Sequence, residues 1–441
     1  VFGPTSESIS IAFRSNGVNT NDEKMVTLCD MVLANGNAGL IDLNLNQEQL
    51  VQYAGCNTTF LNDYGYHSFS GSPKEGQSLD EVKSLILEQI EKLKKGEFED
   101  WMIEAVVNDL KKSQLREYEN STALASAYFN AFIHHEKWED KVKFLDELKA
   151  VSKQELVDFA NSFYKDNYVV TYKRKGEDNN IVKVSNPGIT PVNLNRDKSS
   201  QYIKDFNAKQ SQSITPKYVD YSSAIKKTKT SSGLEVSYIE NETNDLFDMN
   251  IIFDMGSDND KKLGLAVGYL DYLGTDKYSA EELKKEFYKL GIDYFVNAQG
   301  EQSYVGLRGL KENLPKGLEL LEHLWENAVP NKEAYNKYVE SIAKGRSNNK
   351  TSKGRILRSG LLNYAKYGEN SRLRNIIPIS EMQEINPQEL VDLTKGLKDF
   401  KQRVFYYGKD VNAAVKAFND YHKVSGGLNE YPEAMAYLEK E

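Results

Sequence analysis

The segment Ser8 to Phe13 alternates polar and apolar side chains, with Ile9, Ile11 and Phe13 falling on one face, as in a strand with one buried side. A helix carrying Met25, Leu28 and Val32 on one side follows, and the Asn35-Gly36-Asn37-Ala38-Gly39 stretch ends it. Tyr53 to Leu61 and Tyr64 to Ser70 predict a hairpin turning at Asn62-Asp63. Ser78 and Glu81 then form a capping box, worth about 1 kcal/mol. It opens a helix with Leu79, Val82, Leu85, Ile86, Ile90 and Leu93 at helical spacing and a stop at Lys94-Lys95-Gly96. The pattern predicts further helices over 98–118, 121–134, 138–149 and 152–164, the last opened by Ser152 and Glu155. A strand at Tyr168 to Lys173 closes this part.

Residues 176–223 are polar, contain Pro187, Pro191 and Pro216, and read as a linker. The element order then restarts. Met249, Ile251, Phe253 and Met255 alternate as a strand, and helices are predicted over 261–273 and, after Ser279/Glu282, over 280–290. A hairpin from Ile292 to Gly309 follows, then a helix with Leu318, Leu321, Leu324 and Trp325. Asn386-Pro387-Gln388-Glu389 caps a helix that leads to a strand at Arg403 to Tyr407. Three anchors align the halves at near-constant separation: Phe13 with Phe253, Gly71 with Gly309, and Gln154-Glu155-Leu156-Val157-Asp158 with the identical Gln388 to Asp392. A duplicated α+β domain is the reading that accounts for all three.

The 441 residues exceed what one core usually serves, in keeping with two units. A net charge of −9 disfavours a polyanion as main partner. No segment approaches the roughly 18 consecutive apolar residues of a membrane helix. Cys29 and Cys56 admit at most one disulfide and no four-thiolate metal site. The chain opens at Val1 directly ahead of a strand, so an upstream region carrying a targeting signal is expected to have been removed, and the compartment stays open between bacterial periplasm and cytoplasm.

The histidines are His67, His134, His135, His323 and His422; none lies three to five positions from another, so H-E-x-x-H and H-x-x-E-H are both absent. Adjacent helical side chains diverge by about 100°, so His134 and His135 cannot chelate one ion from a regular helix. Structural roles are expected for His67 and His323. G-x-G-x-x-G, the phosphate-binding lysine loop and G-x-S-x-G are missing too, removing the usual sequence support for dinucleotide, phosphate and serine-hydrolase chemistry. The basic run Lys344, Arg346, Lys350, Lys353, Arg355 and Arg358 reads first as a solvated helix face and second as a polyanion grip. The loop at 35–39 reads equally as a helix stop or as backbone groups presented to a peptide.

With this duplicated order in hand, the chain resembles the pitrilysin/insulinase family of zinc metallopeptidases, whose signature is the inverted H-x-x-E-H motif. Phe69-Ser70-Gly71-Ser72-Pro73, Tyr278 to Leu283, Gly306 to Asn313 and Tyr406-Tyr407-Gly408-Lys409 carry the likeness. It implies residues 1–175 as the second subdomain of an N-terminal half, 176–223 as the inter-half linker, 224–425 as the first subdomain of a C-terminal half, and 426–441 as the start of a further linker. Each subdomain is implied to be an α/β sandwich with a mostly antiparallel sheet packed by helices. The motif position in the second copy is Gly268-Tyr269-Leu270-Asp271-Tyr272, with both histidines replaced. The resemblance implies zinc and peptide cleavage for the parent protein, with no catalytic residue and no metal on this part of it. It further implies a peptide substrate and the remaining subdomains as partners. Tyr53 stands where family members hold substrate with a Tyr and an Arg, but its neighbours here are Leu45 and Asn46, with no Arg. The rival expectation is a non-enzymatic scaffold or peptide-binding relative of the same family.

Overall fold

Apolar side chains on every second residue give each strand one dry face, and two sheets result. The computed structural model describes residues 1–178, 180, 182, 185–186, 188–192, 194, 196–424 and 427–438. Pro187, one of the expected linker prolines, lies outside the described residues, as do 426 and 439–441 of the expected final linker. The first sheet contains β1 (Phe2–Gly3), β2 (Ser8–Asn16), β3 (Tyr53–Phe60), β4 (Tyr64–Ser72) and β5 (Tyr168–Lys175), in the order β1-β5-β2-β4-β3. Only β1 and β5 pair in parallel. Ile9, Ile11, Phe13 and Phe69 are fully buried, each contributing about 1.5–3 kcal/mol. They share a core with helices α1 (Asn21–Leu33), α2 (Leu79–Lys94), α3 (Met102–Tyr118), α5 (Trp138–Lys149) and α6 (Lys153–Phe163), while α4 (Ser121–Ile133) packs against α3 and α5. Both capping boxes expected in this unit form, at Ser78/Glu81 and Ser152/Glu155.

The expected linker contains α7 (Gln201–Ala208) and reaches α8 (Tyr221–Ala224), neither with a buried residue. The second sheet follows: β6 (Lys226–Lys229), β7 (Glu235–Ile239), β8 (Leu246–Phe253), β9 (Ile292–Ala298), β10 (Ser303–Leu310) and β11 (Arg403–Tyr407), in the order β6-β7-β11-β8-β10-β9. Its helices are α9 (Lys261–Leu270), α10 (Ala280–Lys289), α11 (Leu314–Asn327), α12 (Lys332–Thr351), α13 (Lys353–Arg355), α14 (Leu362–Tyr367), α15 (Ile379–Glu384), α16 (Pro387–Gly396) and α17 (Val411–Tyr421).

Apart from the added edge strand β6, the two sheets share one topology. β7-β11-β8-β10-β9 repeats β1-β5-β2-β4-β3, including the single parallel edge pair. The ladders correct one anchor. Gly71 lies opposite Ile9 and Gly309 opposite Phe247, so Phe13, opposite His67, corresponds to Ile251, opposite Val305. Phe253 falls two residues further on. Apolar alternation repeats every second residue and cannot separate registers that differ by two, whereas the paired strand does. Smaller differences follow from local packing. The helix expected from 98 starts at Met102, and the one expected to 273 ends at Leu270, with Asp271 as its C-cap. Met255 lies beyond β8 yet remains buried.

The last helix of the second unit is fastened by buried charge. Glu322 on α11, 4% exposed, pairs with Lys398 and accepts from His422 Nδ1 at 2.7 Å. Burial by itself would raise the Glu322 carboxyl, but His422 and Lys398 hold it below the usual range. A depressed carboxylate stabilises the fold above its unfolded value, about 4.3, and that stabilisation is lost as pH falls through the folded value. Glu322→Gln should therefore lower stability at pH 7 by about 3–5 kcal/mol, the cost of breaking a buried pair, and flatten the dependence of urea unfolding on pH in the acid range. A variant as acid-sensitive as wild type would contradict this.

Candidate functional site

The two units meet across a face built by a short π-helical segment, Asp42–Gln47, together with β3 and α3 from the first, and by α9, α10, β9 and α12 from the second. Charge placed there needs a partner in place. Lys112 on α3, whose side chain is 7% exposed, lies 2.8 Å from Asp109 on its own helix and 2.8 Å from Asp293 on β9. Burial works against its ammonium, but the two carboxylates hold it above the ordinary lysine range. Arg116 adds a contact to Asp248 at 3.4 Å.

A second cation, Lys284 on α10, stands between carboxylates of both units, Asp42 and Asp271, and burial depresses its ammonium despite them. Asp271 is itself exposed, but the protein around its carboxyl restricts hydration and pushes it up. The Asp42 carboxyl is also pushed up by burial, although backbone N–H groups of Asn35 and Gly36, both at 2.8 Å, and of Gly39 at 3.2 Å donate to it. Those donors belong to the loop at 35–39. Its Asn37 and Ala38 N–H groups donate to Asn35 Oδ1, so the loop spends its backbone groups internally and acts as a helix stop.

Beside this charge network lies a cleft of about 700 Å³, lined among others by Gln49, Gln52 and Tyr53 from the first unit and Tyr272, Lys284 and Ser341 from the second. Gln52 Nε2 donates to Ser341 Oγ at 2.9 Å, and Gln47 Nε2 donates to the Asp271 carbonyl at 3.2 Å. Gln47 Oε1, Gln52 Oε1 and the Gln49 amide are buried without a well-formed protein hydrogen bond, in a π-helix and turn where Gln49 has φ 54°. The Tyr272 hydroxyl faces the Gln49 amide across the cleft. Tyr53 is 56% exposed at the cleft wall. Two residues singled out separately in the sequence, Tyr53 and Tyr272, thus share one pocket.

The segment Gly268 to Tyr272 does not fit a zinc ion. A Cβ at Gly268 would lie 2.1 Å from the Tyr338 hydroxyl, so that ring occupies the room of the first ligand. Tyr272 packs against Tyr338 with ring centroids 5.4 Å apart, and Tyr269 holds Asn331 by its hydroxyl at 2.6 and 2.7 Å. Asp271 faces Tyr294 and a resident cation, Lys284.

The other candidates separate cleanly. Lys344 pairs with Glu75 at 2.8 Å and Arg346 Nη1 donates to the Ile377 carbonyl at 2.7 Å, so the basic run is partly spent on internal contacts and does not form one solvated face. His134 bonds Asn62 at 2.6 Å, and His135 has left the helix at φ 53°. His323 Nε2 lies 2.9 Å from the Thr275 hydroxyl. Cys29 and Cys56 are free thiols, which removes the disulfide alternative. The Lys112 and Lys284 networks escaped the sequence reading because only the i,i+3 pair Asp109/Lys112 is visible along the chain; Asp293, Asp42 and Asp271 are brought in by tertiary packing.

Residues 2–110 match the family model described as the peptidase M16 inactive domain. This segment is thus similar to an inactive domain of that family. No curated protein matches the chain. Among solved structures, pitrilysin aligns at TM-score 0.51 and 13% identity over 96% of this chain and 48% of its own. The fold is therefore pitrilysin-like across both units. The ferredoxin protease FusC, solved in complex with Arabidopsis ferredoxin, aligns at TM-score 0.45 and 12% identity over 99% of this chain and 51% of its own. The periplasmic protease PqqL from Escherichia coli aligns at TM-score 0.40 and 12% identity over 99% and 51%. The chain spans about half the length of each. Among the described residues no helix is long and apolar enough to cross a membrane.

Two outcomes test this geometry. Gly268→Ala should cost about 1–3 kcal/mol as the Tyr338 ring is displaced, whereas Gly264→Ala on the same helix, with open space at its Cβ, should gain up to about 1 kcal/mol; urea midpoints compare them. Lys112→Met should cost about 3–5 kcal/mol by stranding Asp109 and Asp293, and Asp293→Asn in the same chain should recover part of it in a double-mutant cycle.

Proposed function

We propose that this chain is a non-catalytic portion of a pitrilysin-type zinc metalloendopeptidase, whose two units form one wall of an enclosed peptide chamber. In this reading residues 1–175 and 224–425 are two subdomains, 176–223 joins them, and 426–441 begins the connection to a further one. Zinc and the general base would be carried by another domain of the assembly, the zinc supplying Lewis-acid activation of water there. The degenerate segment Gly268 to Tyr272 serves as packing.

The observation that carries this reading is the cleft between the units. It combines an exposed aromatic, Tyr53, with the polar side chains of Gln49, Gln52 and Ser341 in its lining, a mixture suited to an extended peptide. Amide donors and acceptors match peptide C=O and N–H groups without demanding a sequence, and the Tyr53 ring supplies apolar contact.

A fluorescently labelled unstructured peptide should bind the purified chain and remain intact. Tyr53→Ala should weaken binding roughly tenfold, the loss of about 1.4 kcal/mol, with folding unchanged by circular dichroism. Metal-dependent cleavage by the chain alone would refute its non-catalytic role. Binding indifferent to Tyr53→Ala and Gln52→Ala would move the substrate away from this cleft and favour the scaffold alternative.

A further inference from the structure

Three side chains from three separate elements converge inside the first unit: Asp30 on α1, Cys56 on β3 and His67 on β4. A carboxylate oxygen, Sγ and a ring nitrogen all lie within 4.8 Å of one another. Strand register brings the last two together. Cys56 lies opposite Phe69 and His67 opposite Thr58, so thiol and imidazole are diagonal neighbours on one sheet face. Helix α1 then lays Asp30 across them, its Oδ1 3.0 Å from His67 Nε2 and its carbonyl oxygen 3.5 Å from Cys56 Sγ. The His67 ring is fully buried, while the Asp30 side chain keeps 16% exposure and so offers a path from solvent.

We infer that Asp30, Cys56 and His67 form a binding site for a zinc-class divalent cation, which would staple α1 to the β3–β4 hairpin. The donor set is one oxygen, one sulfur and one imidazole nitrogen, the mixture suited to a borderline-soft, four-coordinate ion. Its charge also balances: carboxylate, thiolate, neutral imidazole and a divalent cation sum to zero, the condition for a site with little water. The far side of the imidazole is already set, because His67 Nδ1 lies 2.7 Å from the Tyr164 hydroxyl. An outer partner on the second ring nitrogen is the usual means of orienting a metal-bound histidine.

On binding, the Cys56 thiol proton leaves to solvent. The His67 Nε2 proton is replaced by one on Nδ1, which then donates to Tyr164, and the Tyr164 hydroxyl turns towards the Cys29 sulfur beside it. The expectation of no metal on this chain came from linear spacing, which cannot register ligands drawn from a helix and two strands.

The site is independent of the peptide cleft, and so is its test. Cobalt(II), a spectroscopic stand-in for zinc, is titrated into the reduced full-length chain. The expected result is about one equivalent bound, a thiolate-to-cobalt charge-transfer band with the strong visible absorption of a four-coordinate ion, and displacement by zinc. Zinc addition to wild type should release about one proton per ion, from Cys56. Cys56→Ser should abolish the charge-transfer band, and Tyr164→Phe should weaken zinc binding about 10–100-fold, each with folding checked by circular dichroism. Wild-type protein that gives no thiolate band and releases no proton would overturn the site and leave these residues a hydrogen-bonded core cluster. That result is read on the wild-type chain and needs no variant to fold.

Discussion

Charge enclosed between two packed bodies must be neutralised where it lies, because the interior repays desolvation only through close, well-formed pairs. The contact between the two units rests on that requirement. Lys112 is held between Asp109 of its own helix and Asp293 of the other unit, while the charges of Asp42 and Asp271, again one from each side, act on Lys284. Apolar contact adds to this where Tyr288 of α10 enters the first core beside Trp101, their ring centroids 6.4 Å apart. The two sheets are consequently held in one arrangement by groups whose partners lie far away in sequence.

That arrangement explains how one duplicated architecture supports different interiors. Both copies keep the same ladder order and a glycine at equivalent positions of β4 and β10. At Gly71 a Cβ would come within 2.5 Å of Val82 on the helix above, and at Gly309 within 2.5 Å of the Gly291 carbonyl. Around this shared frame the copies have filled their helix-sheet spaces differently. The second copy uses tyrosines: Tyr269 and Tyr272 both pack against Tyr338. The first copy instead gathers Asp30, Cys56, His67 and Tyr164 beneath α1.

The cleft between the copies follows from the same docking. The π-helical segment Asp42–Gln47 and the positive-φ turn at Gln49 push carboxamides towards the second unit, where the Gln47 and Gln52 amide nitrogens find acceptors. The remaining amide atoms are buried beneath a concave surface that Gln49, Gln52 and Tyr53 help to line.

Local order was legible from the amino acids alone. Alternation set the strands, the paired Ser and Glu residues set three helix starts, and the repeated Gln-Glu-Leu-Val-Asp marked the duplication. Those signals act over a few residues, through backbone hydrogen bonding and side-chain periodicity, and need no distant partner. Register, neutralisation of buried charge and the meeting of Asp30 with Cys56 and His67 were decided only by the tertiary structure. A strand's repeat is blind to shifts of two, and a side chain's electrostatic neighbours are fixed by which faces pack together, a property of the folded chain as a whole.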